Sequence, residues 1–169
     1  MQVLSRYAEF EPVHVVKVHD KRTGKIYENV LARTHASKAM TELHSIWYTP
    51  KKVVPMEYID KHFSALSLAI WYLDDGTLTK AGTEKSKSYR IVLATNSFSF
   101  EEVTYLAKLL LERFGIIARV TPWQGNCFVL RMFQTESAKL LKIVNDVLPE
   151  GLQCMEYKLR FEEKEGVLS

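Results

Sequence analysis

Between Val13 and His19 apolar and polar residues come close to alternating, as they do along a half-exposed strand. Asp20-Lys-Arg-Thr-Gly-Lys25 follows as a turn built around Gly24, and Ile26–Arg33 as the returning strand of a hairpin. A short amphipathic piece at Leu4–Phe10, ending at Glu11-Pro12, precedes it. The spacing of Met40, Leu43 and Trp47 predicts a helix over Ser37–Tyr48. Pro50 and Pro55 then bracket Lys51-Lys52-Val-Val, which excludes regular helix there. From Phe63 to Leu73 the pattern changes, because no charged residue interrupts Ala65–Leu73 on any face. A helix that is apolar all round is expected to be buried on all sides. Asp74-Asp75-Gly76 closes it, the glycine serving as a helix stop.

Two strands follow, Thr77–Lys80 and Tyr89–Thr95, joined by the polar loop Ala81–Ser88. Ser99-Phe-Glu-Glu102 forms a capping box that opens an amphipathic helix. Val103, Leu106, Ala107, Leu110 and Phe114 make its stripe, and Gly115 ends it. A second hairpin, Ile117–Trp123 and Cys127–Phe133, turns at Gln124-Gly-Asn126. A last helix runs from about Glu136 to Leu148 and stops before Pro149. From Phe63 onward the order is αββαββα, and the segment before it resembles the last half of the same unit. The expected fold class is therefore α+β with an antiparallel sheet. Residues 1–62 are read as a partial first repeat (short helix, hairpin, helix, basic linker) and 63–169 as a complete one. Element order alone carries that repeat.

Hydrophobic residues make up 47% and charged residues 25% of the 169-residue chain, a globular balance that argues against disorder. The net charge of +3 permits a nucleic-acid partner without requiring one. Cys127 and Cys154 form no CxxC pair and are read as ordinary reduced thiols. With no signal-peptide core and no membrane-length apolar run, the expected location is soluble and cytoplasmic or organellar, not secreted.

The chemistry concentrates at Asp74-Asp75. A helix C-terminus carries partial negative charge, so carboxylates there are disfavoured by up to about 1 kcal/mol. Two of them after a wholly apolar helix make a negative site that a divalent cation would relieve, since Mg²⁺ takes one or two carboxylates plus phosphate and water oxygens. A plain polar turn is the competing reading of the same three residues.

Leu68-Ala-Ile-Trp-Tyr-Leu-Asp-Asp-Gly76 resembles the motif of the LAGLIDADG homing endonucleases, in the W-Y-x-D-D-G form of the single-chain members associated with introns and inteins. Three further stretches resemble the family in order: Trp47-Tyr48 with Lys51-Lys52-Val-Val-Pro55, Thr95-Asn-Ser-Phe98 with its Glu-rich helix start, and Met155-Glu-Tyr-Lys-Leu159. The resemblance implies strands lying on double-stranded DNA and two motif helices, each delivering one metal-binding aspartate to a scissile phosphate. It assigns Asp75 as the catalytic and metal-binding aspartate, with Mg²⁺ or another divalent cation as cofactor, and leaves Asp74 to support the helix end. Lys52 and Lys158 match family positions near the active site, where a lysine polarises the attacking water or steadies charge on the phosphate.

Only one motif is present, against the two of a two-repeat member. The implied partner is a second chain carrying a LAGLIDADG-type helix, either a different protein or another copy of this one. Ala65 and Ala69, one turn apart, permit close helix approach or are ordinary core alanines; with Leu68 and Tyr72 they form the candidate interface. Trp71 and Tyr72 are otherwise read as core.

Candidate DNA contacts on the first hairpin are Lys17, His19, Tyr27, Asn29 and Arg33, with Lys21, Arg22 and Lys25 at its turn. In the second unit they are Lys80, Lys85, Lys87, Arg90, Arg119 and Arg131, with Trp123 and Gln124 near a hairpin tip. The competing functions are an RNA-binding intron maturase and a cleavage-inactive DNA-binding protein.

Overall fold

The computed structural model describes residues 9–81, 88–148 and 153–159. The expected first hairpin forms: β1 (His14–Asp20) pairs antiparallel with β2 (Lys25–Leu31), with His14 opposite Leu31 and Asp20 opposite Lys25. Its turn is held by Asp20, whose carboxylate accepts from the Arg22 amide at 2.8 Å and the Thr23 hydroxyl at 2.9 Å. Those bonds, the Thr23 one foremost, hold the Asp20 carboxyl below its ordinary range. Gly24 takes φ +70° to close the turn. Most of the amphipathic piece expected at Leu4–Phe10 lies outside the described residues. Its end is extended rather than helical, since Phe10 bridges Thr34 and the Glu11 amide donates to the Arg33 carbonyl. Helix α1 (Lys38–Trp47) is capped by Ser37, whose Oγ accepts from the Met40 amide.

The chain divides into two compact units, Met1–Lys51 and Lys52–Ser169. This division by contact is distinct from the repeat boundary expected after residue 62, because α2 (Met56–His62) belongs to the second unit. The sequence pattern does not reveal α2, which is seven residues long and has no side-chain cap. Tertiary bonds hold it in place. The Tyr105 hydroxyl lies 2.7 Å from Asp60 Oδ1 and 2.9 Å from the Met56 carbonyl oxygen, and Arg113 donates to the carbonyls of Asp60 and Phe63. Burial, with the Asp60 carboxylate beside it, pushes the Tyr105 phenol up to about 12.

Beyond α2 the order is αββαββα as the pattern predicts: α3 (Ala65–Asp75), β3 (Gly76–Ala81), β4 (Ser88–Leu93), α4 (Phe100–Phe114), β5 (Arg119–Pro122), β6 (Phe128–Met132) and α5 (Gln134–Val147). A 3₁₀ turn at Gln153–Lys158 follows. The four strands form one antiparallel sheet in the order β3-β4-β6-β5. Ile91, Leu93, Leu130 and Met132 share a sheet face and are fully buried; α4 packs on β5 and β6, α5 on β4 and β6, and α3 on α5. Val103, Leu106, Leu109 and Leu110 of α4, with Leu140 and Val144 of α5, complete this core. Ser137 at the start of α5 is buried yet satisfied, accepting from the Ile91 amide and donating to the Met132 carbonyl.

The capping box of α4 forms as expected, and Glu102 serves a third element as well. One carboxylate oxygen accepts from the Ser99 amide and the other from the Val54 amide, each at 2.7 Å. Glu102→Ala is therefore expected to destabilise the protein by about 1–2 kcal/mol, more than a surface cap alone. Equilibrium urea unfolding of the two proteins measures it. Among the described residues no helix is long and apolar enough to cross a membrane.

Candidate functional site

Helix α3 starts on reciprocal bonds between Ser64 and Ser67, each side chain accepting from the other's backbone amide. Its apolar surface is divided. Leu68, Ala69, Tyr72 and Leu73 are buried, whereas Leu66 and Ile70 are 44% and 45% exposed. The expectation of burial on all sides is thus corrected: a helix in a single layer covers only one face, and Leu66, Ile70 and Asp74, four residues apart, line the uncovered one. The interface expected at Leu68, Ala69 and Tyr72 is corrected with it, because these side chains already fill the protein's own interior. Ala65 is half-buried. The i, i+4 spacing of Leu66 and Ile70 within the apolar run was the available sign of that second stripe.

At the end of α3 the Asp74 and Asp75 side chains are exposed, and their carboxylates take no hydrogen bond or ion pair among the described residues. Gly76 has an ordinary backbone conformation, with φ −81° and ψ 146°. It is glycine for a steric reason: a Cβ there would overlap the Tyr72 ring and the Tyr72 carbonyl oxygen. The expected stop thus works by close approach, not by left-handed geometry.

Lys158 arrives from the distant 3₁₀ turn. Its ammonium lies 2.5 Å from the Leu73 carbonyl oxygen, 3.1 Å from that of Asp74 and 3.2 Å from that of Gly76. An ammonium has three N–H donors, and three carbonyls engage them. In this arrangement Lys158 turns its donors to backbone carbonyls at the helix end. The negative helix end likewise already has a cation. Tyr72, whose phenol burial pushes up to about 12, donates its hydroxyl to the Lys158 carbonyl at 2.5 Å.

The Asp75 carbonyl accepts from the Ala94 amide at 3.3 Å, fastening the tip of α3 to the end of β4. The turn that follows β4 carries Phe98, and the Lys52 ammonium sits 5.3 Å from the centre of that ring. Lys52, Asp75 and Lys158 are therefore brought to one end of the sheet. Among the described residues no three His, Cys, Asp or Glu side chains cluster as a metal site. Asp75 offers one accessible carboxylate, which fits a cation completed by phosphate and water oxygens and not a cage built by this chain alone.

Strand register sorts the candidate DNA contacts, since directly opposed residues share a face. Thr79 is opposite Arg90, Val92 opposite Arg131, and Arg131 opposite Arg119. The three arginines therefore lie on the face turned away from Ile91, Leu93, Leu130 and Met132. Arg119 is exposed, Arg90 and Arg131 are half-buried, and the Arg131 Nε is buried without a hydrogen-bond partner. Arg90 donates to the Thr79 hydroxyl at 3.4 Å. Lys80 is opposite Tyr89 and so belongs to the other face, which separates it from the arginines. Trp123 and Gln124 are exposed at the β5–β6 turn. Lys85 and Lys87 lie outside the described residues.

On the first hairpin the register divides the candidates between two faces. Tyr27 and Asn29, opposite Val18 and Val16, point one way; Lys17 and His19, opposite Glu28 and Ile26, point the other. Alternation was correct within each strand, but only the register relates one strand to its neighbour. Lys17 also pairs with Glu28 at 3.5 Å. Lys21, Arg22 and Lys25 are exposed at the turn, and Arg33 is exposed beyond β2.

A family model described as the LAGLIDADG DNA endonuclease family matches residues 3–140. The chain belongs to this LAGLIDADG family. Among its curated relatives, cytochrome b mRNA maturase bI2 of Saccharomyces cerevisiae is 28% identical over 154 residues, covering 86% of this chain and 34% of that protein. The maturase of the same name from Debaryomyces hansenii is 32% identical, covering 80% of this chain and 48% of that protein. The intron-encoded endonuclease ai4 of Dictyostelium discoideum is 30% identical over 104 residues, covering 61% and 60%. The LAGLIDADG chain thus spans 34% and 48% of the two maturases it matches. Its fold matches that of the homing endonuclease I-WcaI bound to its DNA recognition sequence, with a TM-score of 0.77 at 23% identity, over 95% of this chain and 69% of the other. At that identity the likeness concerns the fold. Leu68–Gly76, the LAGLIDADG motif, spans most of α3 and ends at the first residue of β3.

Proposed function

We propose that this LAGLIDADG chain is a sequence-specific endonuclease for double-stranded DNA, completed by a second polypeptide that supplies another motif helix. The reading rests above all on Asp75: an accessible carboxylate, without a partner among the described residues, where a helix tip meets a strand end. In the proposal Asp75 holds one side of a divalent cation such as Mg²⁺, and Lys52 stands beside the phosphate. The cation, when bound, supplies water activation and stabilisation of the leaving oxygen. Arg90, Arg119 and Arg131 meet the duplex from the arginine face of the sheet, and their phosphate contacts make affinity fall as salt rises. The test is a plasmid bearing the target site, incubated with the chain and a motif-bearing partner, with Mg²⁺ and then with chelator. Cleavage that disappears on chelation is expected. Binding without any cleavage favours the cleavage-inactive alternative.

The uncovered stripe of α3 supports the partner. Exposed Leu66 and Ile70 give a second motif helix an apolar surface leading toward the acidic tip. Ile70→Glu is expected to abolish association and to leave folding almost unchanged, since the side chain is already 45% exposed. Light scattering and thermal unfolding read the two effects. If association persists in the variant, this surface is not the contact.

The maturases among the relatives keep RNA binding as the second reading. That reading calls for an unbalanced basic surface away from the sheet. Lys108, Lys139 and Lys142 on α4 and α5 instead lie 3.5, 2.9 and 2.6 Å from Glu112, Glu136 and Asp146, a pattern that favours DNA.

A further inference from the structure

Tyr72, Gly76 and Lys158 form a lock around the end of α3 that the motif alone does not explain. Gly76 lacks a side chain where the Tyr72 ring passes, the Tyr72 hydroxyl holds the Lys158 backbone, and the Lys158 ammonium closes on the carbonyls of Leu73, Asp74 and Gly76. We infer that Lys158 is a positioning residue that fixes the Asp75 carboxylate by tying the last turn of its helix to the 3₁₀ turn. The inference rests on the proposed role of Asp75, but the contacts do not depend on it.

The last carbonyls of a helix lack intrahelical partners and carry the negative end of its dipole. With two carboxylates added, this end is prone to fray, and fraying would move Asp75. A cation donating to three carbonyls at once opposes both tendencies, because charge-assisted hydrogen bonds are the strong ones. Outer groups of this kind typically govern metal affinity or activity by about 10- to 100-fold without touching the metal. Arginine cannot replace lysine here, since its planar fork spreads its donors instead of converging them on one point.

The test compares the full-length chain with Lys158→Met and Lys158→Arg by hydrogen exchange, without DNA or metal. The diagnostic amides are Gly76, which donates to Tyr72, and Ala94, which donates to Asp75. Both variants are expected to speed their exchange by about ten-fold or more, the size of one lost bond to a charged group. Amides in the middle of α4 serve as an unchanged reference. Cleavage by the assembled protein is expected to slow in both variants with the shape of its pH–rate profile preserved. Unchanged exchange at Gly76 and Ala94, or loss of an ionisation from the profile, overturns the inference. If Lys158→Met does not fold, Tyr72→Phe reports instead, loosening the same amides by several-fold while the ammonium stays; no change there also overturns it. A normal cleavage rate in Asp75→Asn would defeat the proposed role of Asp75, and the exchange result would stand apart from it.

Discussion

Asp75→Asn is expected to slow DNA cleavage by about a thousand-fold or more while leaving DNA affinity almost unchanged. The magnitude follows from the several kcal/mol that a bound cation contributes to a phosphodiester transition state, each 1.4 kcal/mol being about ten-fold in rate. Asparagine keeps the shape of the side chain and removes its charge. The Asp75 carboxylate has no partner among the described residues and is exposed, so its loss breaks no contact and the variant should unfold at the normal temperature. On the proposed reading affinity survives, because the arginine face and not the aspartate would meet the duplex; a lost negative charge beside phosphates would work slightly in favour of binding. Single-turnover cleavage and a gel-shift titration in Ca²⁺ measure the two quantities. Cleavage that persists, or binding that is lost from a folded variant, removes Asp75 from the proposed role.

Gly76→Ala, a change of one methyl group, is expected to cost about 1–3 kcal/mol of stability and nearly all activity. The added Cβ meets the Tyr72 ring and the Tyr72 carbonyl oxygen together. A flexible side chain could turn aside, but Tyr72 is fully buried and held by its hydroxyl, and a carbonyl within a helix cannot move alone. The strain is released by shifting the junction of α3 and β3, which displaces Asp75. In thermal unfolding this corresponds to a drop of about 3–10 °C for a chain of this size. Gly115→Ala is the control. Gly115 has φ +62° and open space around it, so alanine there meets only the left-handed backbone penalty, far from Asp75. If both variants retain activity equally, the steric account of Gly76 is wrong.

Much of this molecule was legible in the sequence, for reasons that differ between elements. Helix α4 announced itself because its capping box, apolar stripe and terminal glycine are all local signals, and they agree. The β5–β6 hairpin was legible from Gln124-Gly-Asn126, where Gly125 takes φ +59°. Helix α2 was not legible, because Tyr105 and Arg113, some fifty residues away, supply what its own seven residues lack. The Asp74-Asp75 pair stood out since carboxylates at a helix end are locally anomalous, and the resemblance to the family picked Asp75 from the two. Lys158 could be placed near it by resemblance, yet its contacts could not be read, because only coordinates show its ammonium meeting three carbonyls. The two faces of the first hairpin were illegible for a similar reason: register is a relation between strands, and alternation within one strand does not contain it.

Arg119 and Arg131 stand directly opposite one another on neighbouring strands, and like charges so placed repel. The free molecule therefore carries a local tension that a polyanion would discharge if it lay across the sheet as proposed. A variant that made the isolated protein sturdier by substituting a neutral residue for Arg131 would, on the same account, hold nucleic acid less tightly. At this pair, on the proposed reading, endurance of the protein alone and grip on nucleic acid would be set against each other.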